Sequence, residues 1–207
     1  LLKRRADPKP DLLSALAHAK VQGDLLPDSY LDGSWLLIVF AGNDTTRNSI
    51  SGTMKLLTEH PAQKQRVLAD ASMLPGMVDE AIRMVSPVMY MRRTAQKDVV
   101  LGGQRIAAGE KVIMYYGAAN RDPEVFPNPD AFDVSRGNAK DHLAFGIGPH
   151  VCLGQRVANM QLQSVYSQIF ERFPDMKWNG EIDIAPNNFV HAIRKLGVTY
   201  APRGGRS

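Results

Sequence analysis

The chain has 207 residues, 44% of them hydrophobic and 22% charged, a composition that excludes a disordered, collagen-like or low-complexity polymer. Its single cysteine, Cys152, excludes an intrachain disulfide framework and any zinc or iron–sulfur site needing several thiolates from this chain. The net charge is +4, but 25 basic residues interleave with 21 acidic ones and aromatics make up only 7%, a solvated mixed-charge surface rather than the clustered basic face of a nucleic-acid binder.

In chain order, Leu1 stands where a start methionine would be, and Lys3, Arg4 and Arg5 read as a charged linker, as expected of an excerpt from a longer protein. Asp11 to Val21 reads as a short helix, punctuated by Gly23-Asp24 and Pro27-Asp28. A long helix is expected over 29–59, with Asp28 as N-cap, and a further helix from Pro61 to Asp70. Its longest apolar run, Trp35 to Gly42, is far too short to span a membrane. Residues 76–85 form another helix, stopped by Ser86-Pro87. Over 88–116, Val88–Leu101 and Gln104–Tyr116 read as two strands around a Gly102-Gly103 turn. The Pro- and Asp-rich stretch that follows lacks periodicity and is long for a loop, which points to function. A helix is expected over 152–173 and a strand hairpin over 176–200. The sum is a mainly α chain with small β-sheets, an α+β arrangement.

Two segments do not read as ordinary packing. Leu31, Trp35, Ile38, Gly42, Thr45, Ser49, Gly52 and Leu56 share one face of the long helix, yet that stripe turns small and polar at its centre. Either another helix approaches closely there, or the small residues clear room for a ligand. Thr45 and Thr46 can bond back to carbonyls a turn earlier and bend the helix, and Asp44 places a carboxyl at the opening. The second segment is Phe145-Gly146-Ile147-Gly148-Pro149-His150-Val151-Cys152-Leu153-Gly154. Glycines permit tight turns and close approach to a flat ligand, and a thiolate is favoured just ahead of a helix N-terminus. A lone cysteine is otherwise a small buried hydrophobe, or, with His150, half of a nucleophile pair that lacks an orienting third group.

The cysteine segment, residues 145–154, resembles the haem-binding signature of the cytochrome P-450 superfamily: Phe, two residues, Gly, one residue, His or Arg, one residue, Cys, one residue, Gly. Ala41 to Thr46 resembles the family's oxygen-activation motif, Glu80-Ala81-Ile82-Arg83 its Glu-x-x-Arg motif, and Pro129 to Arg136, within the stretch 121–144, its meander. The resemblance implies the C-terminal part of a single P-450 domain over 1–207, from a haem-dependent monooxygenase of the soluble, cytoplasmic bacterial type. Cys152 would be the axial iron ligand, with Phe145, Gly146 and Gly154 around it. His150 and Arg93 would hold haem propionates, with Arg92 an alternative to Arg93. Asp44 and Thr45 would handle protons on the oxygen side. Peroxygenase relatives lack that pair, so O2 and two electrons are implied rather than hydrogen peroxide. Glu80, Arg83 and Arg136 would form a structural ion network. Ile38, Ala41, Val88, Met89 and Phe189, with Thr45 and Met91, would face an apolar substrate, such as an alkane, fatty acid, terpene or sterol. A ferredoxin-type donor would dock on basic residues including Arg136, Lys140 and Arg156. Complete members are about twice this length, so the chain alone is expected to be inactive and to hold haem poorly. A haem-binding module without turnover, or an incomplete fragment, is the alternative.

Overall fold

The computed structural model describes residues 1–201. They divide into two compact units, one ending at Asp44 and one beginning at Thr45, so the boundary falls inside a single long helix.

In the first unit, the charged opening is not a linker. It forms helix α1 (Leu2–Ala6), and Arg5 is held in place by donating to the Ala17 carbonyl at 3.0 Å, to Asp28 Oδ1 at 2.6 Å and to the Leu26 carbonyl. Helix α2 (Leu12–Ala17) is capped by Asp11, whose carboxylate accepts from Ser14 N at 2.8 Å. It stops four residues short of the expected Val21, because Lys20–Val21 (β1) turns back on Asp24–Leu25 (β2). Gln22 and Gly23, both at positive φ, make the two-residue turn that suits a twisted hairpin. Helix α3 (Asp28–Glu59) then carries the chain into the second unit.

The second unit packs α4 (Pro61–Ala69), α5 (Leu74–Val85) and α7 (Gln155–Arg172) with the latter part of α3. Leu57, Val67, Met77, Ile82, Leu162 and Tyr166 form the centre of that core, all at most 2% exposed. Helix α5 ends because Ser86 takes a left-handed conformation and Pro87 cannot continue the helix. The expected single strand from Val88 to Leu101 is instead broken. Strand β3 (Tyr90–Thr94) pairs with β6 (Lys111–Tyr115), and β4 (Val99–Leu101) pairs with β5 (Gln104–Ile106) inside that hairpin. The break occurs where Ala95 pairs with the backbone of Glu110 and Gly109, and Asp98 accepts from Ala108 N. The short helix α6 (Tyr116–Ala119) follows, and a hairpin of β7 (Lys177–Ile184) and β8 (Ile193–Thr199) closes the described chain.

Between α6 and α7 the backbone is irregular and depends on side chains for its shape. Glu80 and Arg83, one helical turn apart on α5, are both wholly buried. The guanidinium of Arg83 makes a two-pronged pair with the Glu80 carboxylate, at 2.7 and 2.8 Å. Its remaining hydrogens go to the carbonyls of Asn120, Pro129 and Ala131. Arg136 reaches the same carboxylate at 3.0 Å and donates to the carbonyls of Pro127, Asn128 and Ala131. Asp133 N completes the shell around Glu80 at 3.1 Å. A loop with no ladder of its own thus has its carbonyls satisfied by two arginines. Arg136 is consumed by this role and its side chain is only 8% exposed, which removes it from the basic docking surface on which it was expected.

Removing the shared carboxylate leaves two cations facing each other in the interior, which costs about 3–5 kcal/mol. Glu80→Ala is therefore expected to lower the denaturant midpoint drastically or to abolish cooperative unfolding, whereas Asp130→Ala, at an exposed carboxylate that meets Arg121 at 3.4 Å, should change little. Denaturation followed by circular dichroism checks both.

Candidate active site

The cysteine loop is shaped by its own backbone. Cys152 N donates to the Phe145 carbonyl at 2.8 Å, closing the loop, while Phe145 packs against the core of the second unit. Gly148–His150 form a single 3-10 turn and Gly154 caps α7. The helix thus begins at Gln155, three residues later than expected, and Cys152 stands outside it rather than at its first position. Gly146 has φ of +71°, and a Cβ there would sit 3.4 Å from the His150 carbonyl and 3.5 Å from the Tyr116 hydroxyl. A Cβ on Gly154 would lie 3.9 Å from the Cys152 sulfur.

These features leave the thiol exposed on the surface rather than buried as a small hydrophobe. Around it stand exposed apolar side chains, Ile147 at 75% and Leu153 at 90%. A cleft of about 160 Å³ adjoins the loop, lined by Gly146, Ile147, Leu143, Tyr116, Met114 and Arg93 among others. Of the two neighbouring arginines, it is Arg93 that lines this cleft. Strand alternation places Arg92 on the other face of β3, opposite Ile113.

This donor set fits haem. Among the described residues there is no group of three His, Cys, Asp or Glu side chains able to hold a bare ion. One thiolate is too few for such an ion, but suffices for a metal already held in a macrocycle. A glycine beside the sulfur, an apolar fringe and an arginine lining the adjoining cleft match a flat apolar group that carries carboxylates. Cys152, Gly146 and Gly154 would hold its metal side, and Arg93 and the exposed His150 its acidic edge.

The remaining expected site residues fall into separate groups. Val88 and Val190 form an isolated bridge, and Met89 N donates to the Phe189 carbonyl at 2.8 Å. Val88, Met89 and Phe189 are thereby brought together at one backbone pairing, with the Tyr90 and Phe189 rings 6.1 Å apart edge to face. Ile38 is half-buried and Ala41 exposed on α3, and Asp44 and Thr45 are consecutive, half-buried residues of that helix. The small-residue stripe resolves into two regimes. At Gly52 an added Cβ would strike Val85 at 2.6 Å, so helix packing explains that glycine. At Gly42 nothing among the described residues lies within 4 Å of such a Cβ, which leaves open space there.

Three supporting residues were missed in the sequence. Asn120 is fully buried. Its amide donates to Ser86 Oγ at 2.8 Å, its side-chain oxygen accepts from Leu143 N at 2.6 Å, and its carbonyl accepts from Arg83. It joins the end of α5 to the segment entering the cysteine loop. Asn48 accepts from Ile193 N at 2.8 Å, tying α3 to β8. His142 is buried, packs its ring at a tilt against that of Phe145 with centroids 5.4 Å apart, and accepts from Ala144 N through Nδ1 at 3.2 Å. An accepting Nδ1 requires the neutral ring. Burial, with the Arg83 cation nearby, pushes its pKa down to about 4. Only proximity to the cysteine motif could have marked His142; Asn120 and Asn48 carry no sequence signal.

Because the unfolded chain protonates His142 near pH 6.5 and the folded chain resists until about pH 4, stability is expected to fall as pH drops through that window. The loss from this group approaches about 3 kcal/mol by pH 4. His191, also depressed by burial, adds to the same slope. Urea midpoints between pH 7.5 and 4.5 should show the decline, and His142→Gln should flatten it; an unchanged slope in that variant would contradict the assignment.

Comparison with known proteins agrees with this geometry. The cytochrome P450 family model matches residues 2–178. The steroid C26-monooxygenase of Mycolicibacterium smegmatis is 36% identical over 204 residues, 98% of this chain and 51% of that protein. Linalool 8-monooxygenase of Pseudomonas putida is 38% identical over 200 residues, 97% of this chain and 49% of that protein. Among solved structures, Mycobacterium marinum cytochrome P450 CYP268A2 in complex with pseudoionone superposes with a TM-score of 0.91 at 43% identity, covering 96% of this chain and 48% of that one. Cytochrome P450-153 from Novosphingobium aromaticivorans gives 0.85 at 42% identity, covering 92% and 48%. The chain spans about half the length of these relatives, and with its haem-type cysteine loop and helical fold with small sheets it belongs to the cytochrome P450 family.

Proposed function

We propose that this chain is the iron-ligating, C-terminal part of a single haem monooxygenase domain that hydroxylates an apolar small molecule of the terpene, steroid or lipid kind, using O2 and two electrons from a ferredoxin-type donor. The observation that carries the reading is the exposed Cys152 sulfur, with Gly154 against it and a cleft lined by Gly146 and Arg93 beside its loop. Relatives named for steroid, linalool and methyl-branched lipid oxidation support the substrate class.

Bound haem would supply O2 activation at iron, and the anionic sulfur would donate electron density to that metal. The protein's own groups do the rest. Arg93 and His150 orient the cofactor by pairing with its carboxylates. Thr45 holds a water at the oxygen side through its hydroxyl, and Asp44 passes protons to it from solvent. Val88, Met89 and Phe189, with Ile38 and Ala41, supply apolar contacts that exclude bulk water and orient the substrate. Lys140 and Arg156 are both exposed and suit an acidic electron donor. No helix among the described residues is long and apolar enough to cross a membrane.

In the complete protein, Cys152→Ala should abolish the thiolate-type absorption of the reduced carbon monoxide complex. Thr45→Ala should retain that absorption but consume reductant with product yield lowered at least several-fold. Unchanged coupling in Thr45→Ala would overturn the proton role, and a haem protein with normal spectra but no product from any terpene, steroid or lipid tested would instead indicate a binding module.

A further inference from the structure

Strand β7 leaves its ladder at one place. Trp178 faces Val198 and Ile182 faces Leu196, so Asn179, Gly180 and Glu181 together stand opposite Gly197. All three are exposed, and they form a bulge on the hairpin. Two hydrogen bonds hold its shape. Trp178 Nε1 donates to the Glu181 carbonyl at 2.8 Å, and Glu181 N donates to Asn179 Oδ1 at 2.9 Å. The second bond folds the Asn179 carboxamide back along its own chain. That draws Cγ toward the peptide nitrogen of the residue between, Gly180. On its other side the carboxamide packs over Gly197, where an added Cβ would strike it. Gly180 has φ of +97°, and among the described residues nothing lies within 4 Å of a Cβ built on it. No side chain therefore shields the Gly180 nitrogen.

We infer that Asn179 is a modification site: it deamidates spontaneously through a cyclic imide closed by the Gly180 nitrogen, with water as the co-reactant. Gly180 N gives up its proton to solvent and attacks Asn179 Cγ. A new C–N bond forms there, the bond from Cγ to the carboxamide nitrogen breaks, and that nitrogen takes a proton from water and leaves as ammonia. Water then opens the ring. Opening at Cγ gives aspartate, and opening at the main-chain carbonyl gives isoaspartate, whose backbone runs through Cβ and Cγ. One water is consumed, one ammonia is released, and nothing is oxidised or reduced. The bond from Glu181 N polarises the carbonyl under attack and holds it near the nucleophile, which is the advantage of position. Other residues lack one of these elements. Asn179-Gly180 is the single Asn-Gly pair of the chain. Asn187 makes the same kind of bond, accepting from Phe189 N at 2.7 Å, but the side chain of Asn188 follows it and crowds the nitrogen. Asp32-Gly33 lies inside α3, whose ladder holds the Gly33 nitrogen. The inference is independent of haem and of the monooxygenase reading.

The chain is incubated at 37 °C at pH 6 and at pH 8.5, and its products are read by isoelectric focusing and tandem mass spectrometry. A species one charge below the formal +4 is expected to accumulate, faster at the higher pH because the attacking nitrogen must lose its proton. The new acid is expected at Asn179, forming at least tenfold faster than at Asn187. Isoaspartyl methyltransferase with a labelled methyl donor should label the aged chain and not the fresh one. Asn179→Ser keeps an oxygen that can accept from Glu181 N but has no carboxamide to lose, and it should slow the appearance of acidic species at least tenfold. In the folded chain Asn179 should convert within threefold of its rate in urea. Conversion mainly at another residue, an unchanged acidic species in Asn179→Ser, or conversion at Asn179 tenfold slower in the folded chain than in urea would overturn the inference.

Discussion

One carboxylate organises the second unit. Glu80 is wholly buried and accepts from Arg83, Arg136 and the backbone of Asp133. A lone buried carboxylate is prohibitively costly, but here its charge is met by two cations, whose remaining hydrogens satisfy five carbonyls of an otherwise unladdered loop. The Arg83 guanidinium also lies over the Phe126 ring, 5.1 Å from its centroid, a cation–π contact that adds to its fixing. The loop from 121 to 144 has a shape because this pair of arginines specifies where its carbonyls stand.

The cysteine loop inherits that shape. Asn120 links the Arg83 cluster to Leu143, and neutral His142 packs against the Phe145 ring, whose residue's carbonyl in turn fixes Cys152 N. A chain of contacts thus runs from a structural ion cluster to the sulfur. The metal ligand proposed at Cys152 stands on an irregular loop, which has no repeating ladder of its own to hold its geometry. The arrangement also explains why a charge cluster remote from the chemistry accompanies the cysteine motif in one sequence.

Much of this was legible in the residues. The 3.6-residue periodicity and proline stops placed α3, α4 and the end of α5, because those signals are local. The cysteine loop could be read because its glycines are demanded by backbone conformation, as the positive φ at Gly146 and Gly148 shows. What misled were segments whose state is decided by distant partners. Lys3–Arg5 looked like solvated linker until Arg5 met Ala17, Leu26 and Asp28. Val88–Leu101 looked like one strand, but its ladder partners belong to two different strands. Arg136 was expected both in the ion network and on a docking surface, and its pairing with Glu80 leaves only the first role.

The sequence by itself determined that the lone cysteine sits in a glycine-rich turn ahead of a helix, that an acid and a hydroxyl adjoin on a long helix, and that an acid and an arginine share one turn of α5. Those are covalent neighbours or helical neighbours, and spacing alone fixes their relation. Only the tertiary structure decided that Arg93 rather than Arg92 lines the cleft beside the loop, that Gly52 serves packing, and that Val88, Met89 and Phe189 meet. Each of these depends on which surfaces residues far apart in sequence bring together, and local spacing carries no record of that.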